Sequence, residues 1–375
     1  RSQNHNLDIF GDNFAYDFAD DPAAAKAADD AKIAALGLTR KDFRFQIGDA
    51  ALKNQQFFIN AETSLNDRLD FYSFGGVSLR QGEGFGFRRL PSELSEDALK
   101  IYPIGFQPIL KSKVNDYSNS TGLRYSYKGW KVDLSNTFGL NSFRYDVENS
   151  INQSIGIDSP TKFYAGQHQF LQNTVNLDFS KRINPHLNLA FGGEYRFEQY
   201  QIDAGDAASY SGSGAESFTG FSPLNAVKGD RHSVATYVDG ELKFGDFTAN
   251  VAGRFENYSD FGNTLNGKLA LRYEYAKGYS VRGAISTGFR APSLQQKYFS
   301  NSYTDLFLND QGEQILVTKG IIRNESELSR EIGLEKLKEE KSINASFGLT
   351  FRPTSKLFIT LDGYFIQVND RIVLT

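Results

Sequence analysis

Apolar residues recur at every second position through roughly a dozen segments of the chain. Phe247, Ala249, Val251, Gly253 and Phe255 form one run. Leu265, Gly267, Leu269, Leu271, Tyr273 and Tyr275 form the next, followed by Tyr279, Val281, Gly283, Ile285, Thr287 and Phe289. Such runs predict strands with one apolar and one polar face. Short links join them at Asn66-Asp67, Lys128-Gly129, Arg182 to His186, Gly245-Asp246 and Arg352 to Ser355. Long links alternate with these, over residues 81–113, 144–166, 203–229 and 299–340; the tight link at Ser259 to Gly262 is the one exception. Each strand reads as about nine to thirteen residues, longer than the usual globular strand and suited to a tilted membrane crossing.

Alternation by itself also fits a soluble sandwich. The aromatic residues tilt the reading. Tyr125, Tyr127, Trp130, Phe179, Phe244, Phe247, Tyr273, Tyr275, Tyr279 and Phe351 crowd the tight turns. That matches an interfacial girdle. The predicted fold is all-β, an antiparallel transmembrane β-barrel, with about twelve strands of a larger wall present.

Residues 1–40 read as an irregular loop with one short helix. It starts at Asp20-Asp21-Pro22, runs through the Ala-rich stretch to Leu36, and stops at Gly37. Residues 41–375 form the partial barrel. Arg1 at the start and the strand running out near Ile372-Val373-Leu374-Thr375 lead us to expect an internal piece of a longer protein.

Composition removes several classes of function. The 375 residues include no Cys, which excludes disulfides, thiolate metal sites and Cys nucleophiles. A net charge of -4 asks for no nucleic acid. The mean hydropathy is -0.44 and no apolar run is long enough for a transmembrane helix, but barrel strands need neither. His5, His168, His186 and His232 show no metal spacing. With no nucleophile, base and orienter to name, we expect no enzyme, no cofactor and no metal. Gly82-Glu83-Gly84-Phe85-Gly86 opens no helix and is no phosphate loop. Asn309-Asp310-Gln311-Gly312-Glu313 reads as a turn, with a calcium loop as the rarer alternative. Residues 325–341 read as a small loop helix.

Two groups of side chains look functional. The polar face offers Glu194, Arg196, Arg254, Glu256, Arg272, Arg282 and Arg290. These would line a pore or hold a body inside it; the plainer reading is a wetted wall with opposite charges neutralised between strands. The long links offer Phe85, Phe87, Arg88, Arg89, Tyr102 and Phe106, then Tyr210, Phe218 and Phe221, then Tyr298 and Phe299. Aromatic platforms with small polar neighbours suit sugars, peptides and aromatic chelates. The alternative is loops packed on one another through those rings.

One segment is more specific. Ser286-Thr287-Gly288-Phe289-Arg290-Ala291-Pro292-Ser293-Leu294-Gln295-Gln296-Lys297-Tyr298 resembles the S-x-G-F-R-A-P-S-L-x-x-x-Y stretch of TonB-dependent outer-membrane receptors. Three companions stand in order: Tyr258 to Asn266, Leu337 to Ser342, and Asn369-Asp370-Arg371-Ile372-Val373. Ala190 to Arg196 fits more weakly. The resemblance implies a 22-stranded barrel in the bacterial outer membrane around an N-terminal plug. It implies long links facing outward, tight turns facing the periplasm, and import energised through an inner-membrane complex. The implied partners are the protein's own plug, a TonB-type energising complex, outer-membrane lipid and a surface lipoprotein. The implied cargo is a scarce nutrient: a siderophore, an oligosaccharide or a peptide. Arg254, Glu256, Arg282 and Arg290, on neighbouring predicted strands, are the expected plug contacts. Phe289-Arg290-Ala291-Pro292 also occurs as a box in haem receptors, but no His follows His232 and Glu335-Lys336-Leu337 stands where a second box belongs. Haem is therefore disfavoured. The alternative function is a passive porin or adhesion-type barrel without a plug.

Overall fold

The computed structural model describes residues 5–7, 15, 22–47, 50–308 and 314–373. β1 (His5–Leu7) and β2 (Phe45–Ile47) pair on either side of helix α1 (Pro22–Ala35). The sheet proper begins with β3 (Ala51–Asn66) and β4 (Leu69–Phe85), and after helix α2 (Glu96–Ile101) continues with β5 (Ile109–Tyr127) and β6 (Trp130–Glu148). Next come β7 (Lys162–Asn184), β8 (Leu187–Asp203), helix α3 (Ala207–Tyr210), β9 (Val227–Phe244), β10 (Phe247–Tyr258), β11 (Gly262–Ala276) and β12 (Tyr279–Arg290). The longest link carries helix α4 (Leu294–Tyr298), the hairpin β13 (Asn301–Leu308) with β14 (Gln314–Ile321), and helix α5 (Glu327–Glu331). β15 (Glu340–Thr354) and β16 (Leu357–Asn369) complete the chain's strands.

Twelve of these strands form one open antiparallel sheet, from β3 at one end to β16 at the other, each beside its sequence neighbour. Only β12 and β15 meet across a skipped hairpin. The period of two sorts the side chains into in-register rows. Phe71, Leu123, Leu134, Leu177, Gly193, Thr236, Phe255 and Leu265 form one unbroken row across β4 to β11. Among the described residues no second layer covers this face: Leu265 is 77% exposed and Phe255 45%. A soluble sandwich buries such a face against another sheet, whereas lipid covers it in a membrane. The girdle is present beside the tight turns, where Phe179 stacks on Phe191 at 5.1 Å and Trp130 meets Phe191 edge-on at 6.1 Å. The Lys128-Gly129 turn has both residues at positive φ (48° and 82°), which suits a two-residue hairpin between right-twisted strands.

The ladders run further than the alternation predicts. Strands of the large sheet are 12 to 23 residues long, not nine to thirteen. The long links shrink accordingly: 81–113 becomes 86–108, 144–166 becomes 149–161, and 203–229 becomes 204–226. Past the apolar band both faces of a strand are polar, as at Gln81 to Gly84 and Lys111 to Lys113, so the pattern fades while pairing continues. The link read as 299–340 is instead 291–339, because Pro292, lacking an N–H, leaves the sheet early. The helix expected over 325–341 is the five-residue α5. The Asn309 to Glu313 turn lies outside the described residues.

On the polar face, side chains reach over a glycine on the next strand to an aspartate two strands away. Tyr72 of β4 passes Gly122 of β5 and donates its hydroxyl to Asp133 of β6 at 2.8 Å. Tyr237 of β9 passes Gly192 of β8 and donates to Asp178 of β7 at 2.7 Å. Arg282 of β12 passes Gly348 of β15 and binds Asp362 of β16. Each strap ties three strands together, and each needs the middle residue to lack a side chain.

Two sets of substitutions test this assignment of faces, measured by unfolding of the protein from a bilayer. Val251→Arg or Leu269→Arg, on facing apolar positions of β10 and β11, is expected to cost about 2–4 kcal/mol, and Ala270→Arg on the polar face much less; equal costs would invert the face assignment. Gly192→Ala would set a methyl 2.5 Å from Asp178 Oδ1 and 2.8 Å from the Tyr237 ring, whereas Gly253→Ala meets nothing within 4 Å. The first is expected to cost about 1–3 kcal/mol and the second nearly nothing.

Candidate functional site

The polar face brings four of the predicted residues into one cluster. Arg254 binds Glu256 two residues along β10 at 2.7 Å and Glu194 of β8 at 3.3 Å, reaching over β9, where the small Ala235 faces Glu194. Arg196 binds Glu194 at 2.6 Å, and the Tyr258 hydroxyl donates to Glu256 at 3.0 Å. The other three predicted residues stand apart. Arg272 pairs with Glu274 at 2.6 Å. Arg282 holds Asp362 and also donates to Thr350 Oγ1 at 2.9 Å. Arg290 pairs with Glu340 at 3.5 Å, its side chain 61% exposed. Arg254 and Glu256 are thus not on a strand next to that of Arg282 and Arg290. β11 lies between, and the two groups bond in opposite directions, toward β8 and toward β15 and β16. Counting alternating runs orders the strands but does not say which way a long side chain leans.

A second charged group, centred on Arg231, lies above the first. Arg231 of β9 is almost wholly buried; its Nε and Nη2 both donate to Glu198 Oε2 of β8, at 2.8 and 2.6 Å. Its Nη1 donates to the Pro292 carbonyl at 2.6 Å and lies 3.6 Å from Asp260 in the β10–β11 turn. Asp260 also takes the Lys297 amine at 2.8 Å, and that amine meets Glu325 at 3.4 Å. A buried guanidinium is tolerable only when its donors are met by charge and carbonyl together, as here. These contacts explain the recognisable motif. Pro292 offers its carbonyl, Ser293 caps α4 by accepting from Gln296 N at 3.1 Å, Lys297 joins the charges, and Phe289 packs edge-on against Tyr258 at 5.9 Å. The companion segments meet the same region: Asp260 comes from the first, and Glu340 of the second accepts from Ile372 N of the third at 2.9 Å. The motif braces the root of the 291–339 link. Arg231 was missed because no alternating run contains it.

The four long links are woven into one cap. Glu216 of link 204–226 accepts from Arg89 of link 86–108 at 2.7 Å and from Gln153 of link 149–161 at 2.9 Å. Asn152 donates to the carbonyls of Ala208 and Ser211 at 2.8 and 2.7 Å. Link 291–339 joins through Asn225, which donates to Ser300, and through Arg323, which donates to the Leu224 carbonyl.

Several predicted substrate platforms belong to this weave. Phe106 and Phe221 are buried, at 2% and 1% exposure. Packing has taken their faces, so as folded they offer no platform. Tyr102 tilts against Phe106 at 4.5 Å and donates to the Ser150 carbonyl at 3.3 Å; burial pushes its phenol pKa up, keeping it a neutral donor. Phe218 stacks on Tyr145 at 4.9 Å, and Phe299 meets Phe221 edge-on at 6.1 Å. Arg88 donates to the Ile104 carbonyl at 2.8 Å. Phe85 sits on the opposite side of the sheet from the polar cluster, in a row with Ile109 and Glu148. Tyr298 lies against Gly229 and Tyr210 ends α3, both partly exposed, while Phe87 is 73% exposed. A cavity of about 1160 Å³ lies between the root and the end of link 291–339, with Arg290, Gln296, Phe299, Lys336 and Arg371 in its lining. Among the described residues no group of three or more His, Asp and Glu is placed to hold a metal.

Against known proteins, the family described as "TonB dependent receptor-like, beta-barrel" matches residues 2–375. Among solved structures, the siderophore receptor PirA from Acinetobacter baumannii superposes with a TM-score of 0.56 at 14% identity, over 87% of this chain and 44% of that one. The RagAB peptide transporter gives 0.56 at 11% identity, over 86% and 41%. The ferric citrate transporter FecA gives 0.53 at 11% identity, over 86% and 44%. At these identities the likeness is one of fold, and the chain spans less than half of each. The place of such proteins is the bacterial outer membrane. Matched from its second residue to its last, the chain belongs to the TonB-dependent receptor family and carries strands of its outer-membrane β-barrel.

Proposed function

We propose that this chain is a wall sector and cap of an energised importer of a scarce nutrient. In this reading the sheet closes with further strands into a 22-stranded barrel. The woven links face the outside, and the polar face surrounds a plug that a TonB-type complex pulls on. An open sheet edge in lipid would leave backbone groups unpaired at several kcal/mol each, which supports closure.

The observation that carries the reading is the pairing of a single-layer sheet, apolar on one face, with a charged wall whose arginines lean on partners two strands away. Such ion pairs in a wet interior can be exchanged for contacts with a body that moves past them. In this reading Arg254, Glu256, Arg282 and Arg290 are the plug-side contacts. Arg290, the most exposed of them, exchanges most readily. The exposed Phe87, with Tyr210, Tyr298 and Phe299 at the cap, meets the cargo. Relatives of this fold include a siderophore receptor, a peptide transporter and a ferric citrate transporter. A siderophore, a peptide and an oligosaccharide all suit aromatic rings set among small polar residues.

In cells whose growth depends on the intact receptor, removing its N-terminal energising box is expected to abolish growth on the limiting nutrient. Growth at the parental rate would mean a passive pore and would sink the proposal. For the cap, Glu216→Ala removes the acceptor shared by Arg89 and Gln153. Hydrogen exchange within residues 86–108 and 149–161 is expected to speed up about tenfold while the strands stay protected. Unchanged exchange in both links would show that Glu216 does not hold the cap together.

A further inference from the structure

We propose that His168 is a pH sensor that loosens link 204–226 from the sheet when its surroundings turn acidic. His168 stands on β7, three residues beyond the last apolar row of Val77, Tyr117, Leu140 and Leu171, and so clear of the lipid-facing band. It lies on the same side of the sheet as Asp133 and Asp178. At this level that side is no longer polar. Val114, Phe143, His168 and Ile202 form one row, and Asn141, Phe170 and Tyr200 form the row beneath. The imidazole sits among rings, its centre 5.5 Å from that of Phe143, 5.6 Å from Tyr145 and 6.1 Å from Tyr200. Its Nδ1 is shut off from solvent and has no hydrogen-bond partner; nor has the hydroxyl of Tyr200.

Link 204–226 rests on the same rings. Phe218 stacks on Tyr145 at 4.9 Å; Phe221 meets Tyr145 edge-on at 5.8 Å and is buried with Tyr200 and Ile202. The link hangs from the end of β7 beside His168. Phe221 N donates to the Ala165 carbonyl at 2.9 Å, Asp206 N to the Tyr164 carbonyl at 2.8 Å, and Gly205 N to the Phe221 carbonyl at 2.9 Å. Closed, the link seals the two tyrosines between which His168 stands.

Protonation sets the imidazole against this packing. The titratable groups facing it are the phenols of Tyr145 on β6 and Tyr200 on β8, which stay neutral below about pH 8. Charged side chains on its own row and the two rows beneath are engaged elsewhere: Arg80 with Asp116, which also takes Asn141, and Glu198 with Arg231. Of the link's acids, Glu216 holds Arg89 and Gln153, and Asp206 accepts from Tyr164 N. Among the described residues no acid is left for an imidazolium, both of whose nitrogens are donors. Formed here, it leaves a buried N–H unpaired and a charge shielded from water. Lifting the link lets water reach both. The closed form therefore binds fewer protons than the open one. Closure is undiminished above the ordinary histidine value of about 6.5 and weakens as pH falls below it.

The test is hydrogen exchange of the full receptor in neutral detergent, read on peptides holding Gly205, Asp206 and Phe221 and corrected for the intrinsic change of exchange rate with pH. From about pH 7.5 to about pH 5.5, protection of these amides is expected to fall about tenfold, because one unit below the ordinary histidine value the open form holds a proton that the closed form lacks. The amides of β7 and β8 level with the apolar band should stay protected. His168→Phe keeps a ring in the nest and removes the proton site, so its link should be as protected in acid as at neutral pH. His232→Gln changes a histidine on the opposite face, bonded to Tyr195, and should leave the fall intact. If His168→Phe loses strand protection at neutral pH, His168→Gln is read in its place with the same expectation. Unchanged protection in the parent, or an equal fall in the variant lacking His168, overturns the sensor; loss of the fall in His232→Gln moves it to another histidine and overturns it too. The readout needs neither cargo nor an energising complex, so it stands or falls independently of import.

Discussion

Inside a bilayer there is no water to satisfy a peptide group, so every backbone N–H and C=O must be paired by the chain itself. The twelve-stranded ladder is the answer to that constraint. It holds sequence neighbours in order, keeps an unbroken register from β4 to β11 through the apolar row, and allows irregular backbone only beyond the apolar band. Because pairing is continuous and the side-chain period is two, one face carries the apolar band and the other carries polar side chains level with it. No buried core of the ordinary kind forms in the wall. The buried hydrophobic clusters lie chiefly in and under the links, around Phe221, Phe106 and Val147.

The polar face then acquires its order from what the ladder places side by side. Long donors lean over small residues to acids two strands away: Tyr72 to Asp133, Tyr237 to Asp178, Arg282 to Asp362. These straps resist shear between strands without filling the interior. Nearer the cap, the partly exposed ion pairs give way to the buried Arg231 node, which joins β8, β9, the β10–β11 turn and the root of the longest link. The wall is thus graded from hydrated ion pairs to a desolvated brace, and the brace is where the family's recognisable residues meet.

The opposite face is graded along the same axis by the solvent it meets. Aromatic rings beside the tight turns, apolar side chains through the middle and charged side chains above them follow the layers of a membrane from one interface to the other. The same gradient explains why the strands exceed the lipid band: pairing is favourable in water too, so the ladder continues until Pro292 or a link with its own packing ends it.

Period-two alternation, the tight turns and the aromatic belt were legible in the sequence, because lipid and water impose their preference residue by residue along each strand. The F-R-A-P segment narrowed the fold to one family for the same local reason, as a run of residues with its spacing intact. The upper halves of β4 to β7 were not legible as a continuation of the lower ones, since β4 turns polar on both faces and on β5 and β6 the apolar positions pass to the opposite face, at Leu110, Val114, Phe143, Tyr145 and Val147. Nor could the sequence separate Phe106 and Phe221, consumed by packing, from Phe87, whose side chain is 73% exposed; all three are aromatics among glycines and charges. Arg231, Glu198, Asp260 and Lys297 are far apart in the chain, and nothing in their local sequence says that they meet. Their meeting depends on which residues strand register brings level. Register is a property of neighbouring strands taken together, and so only the tertiary structure decides it.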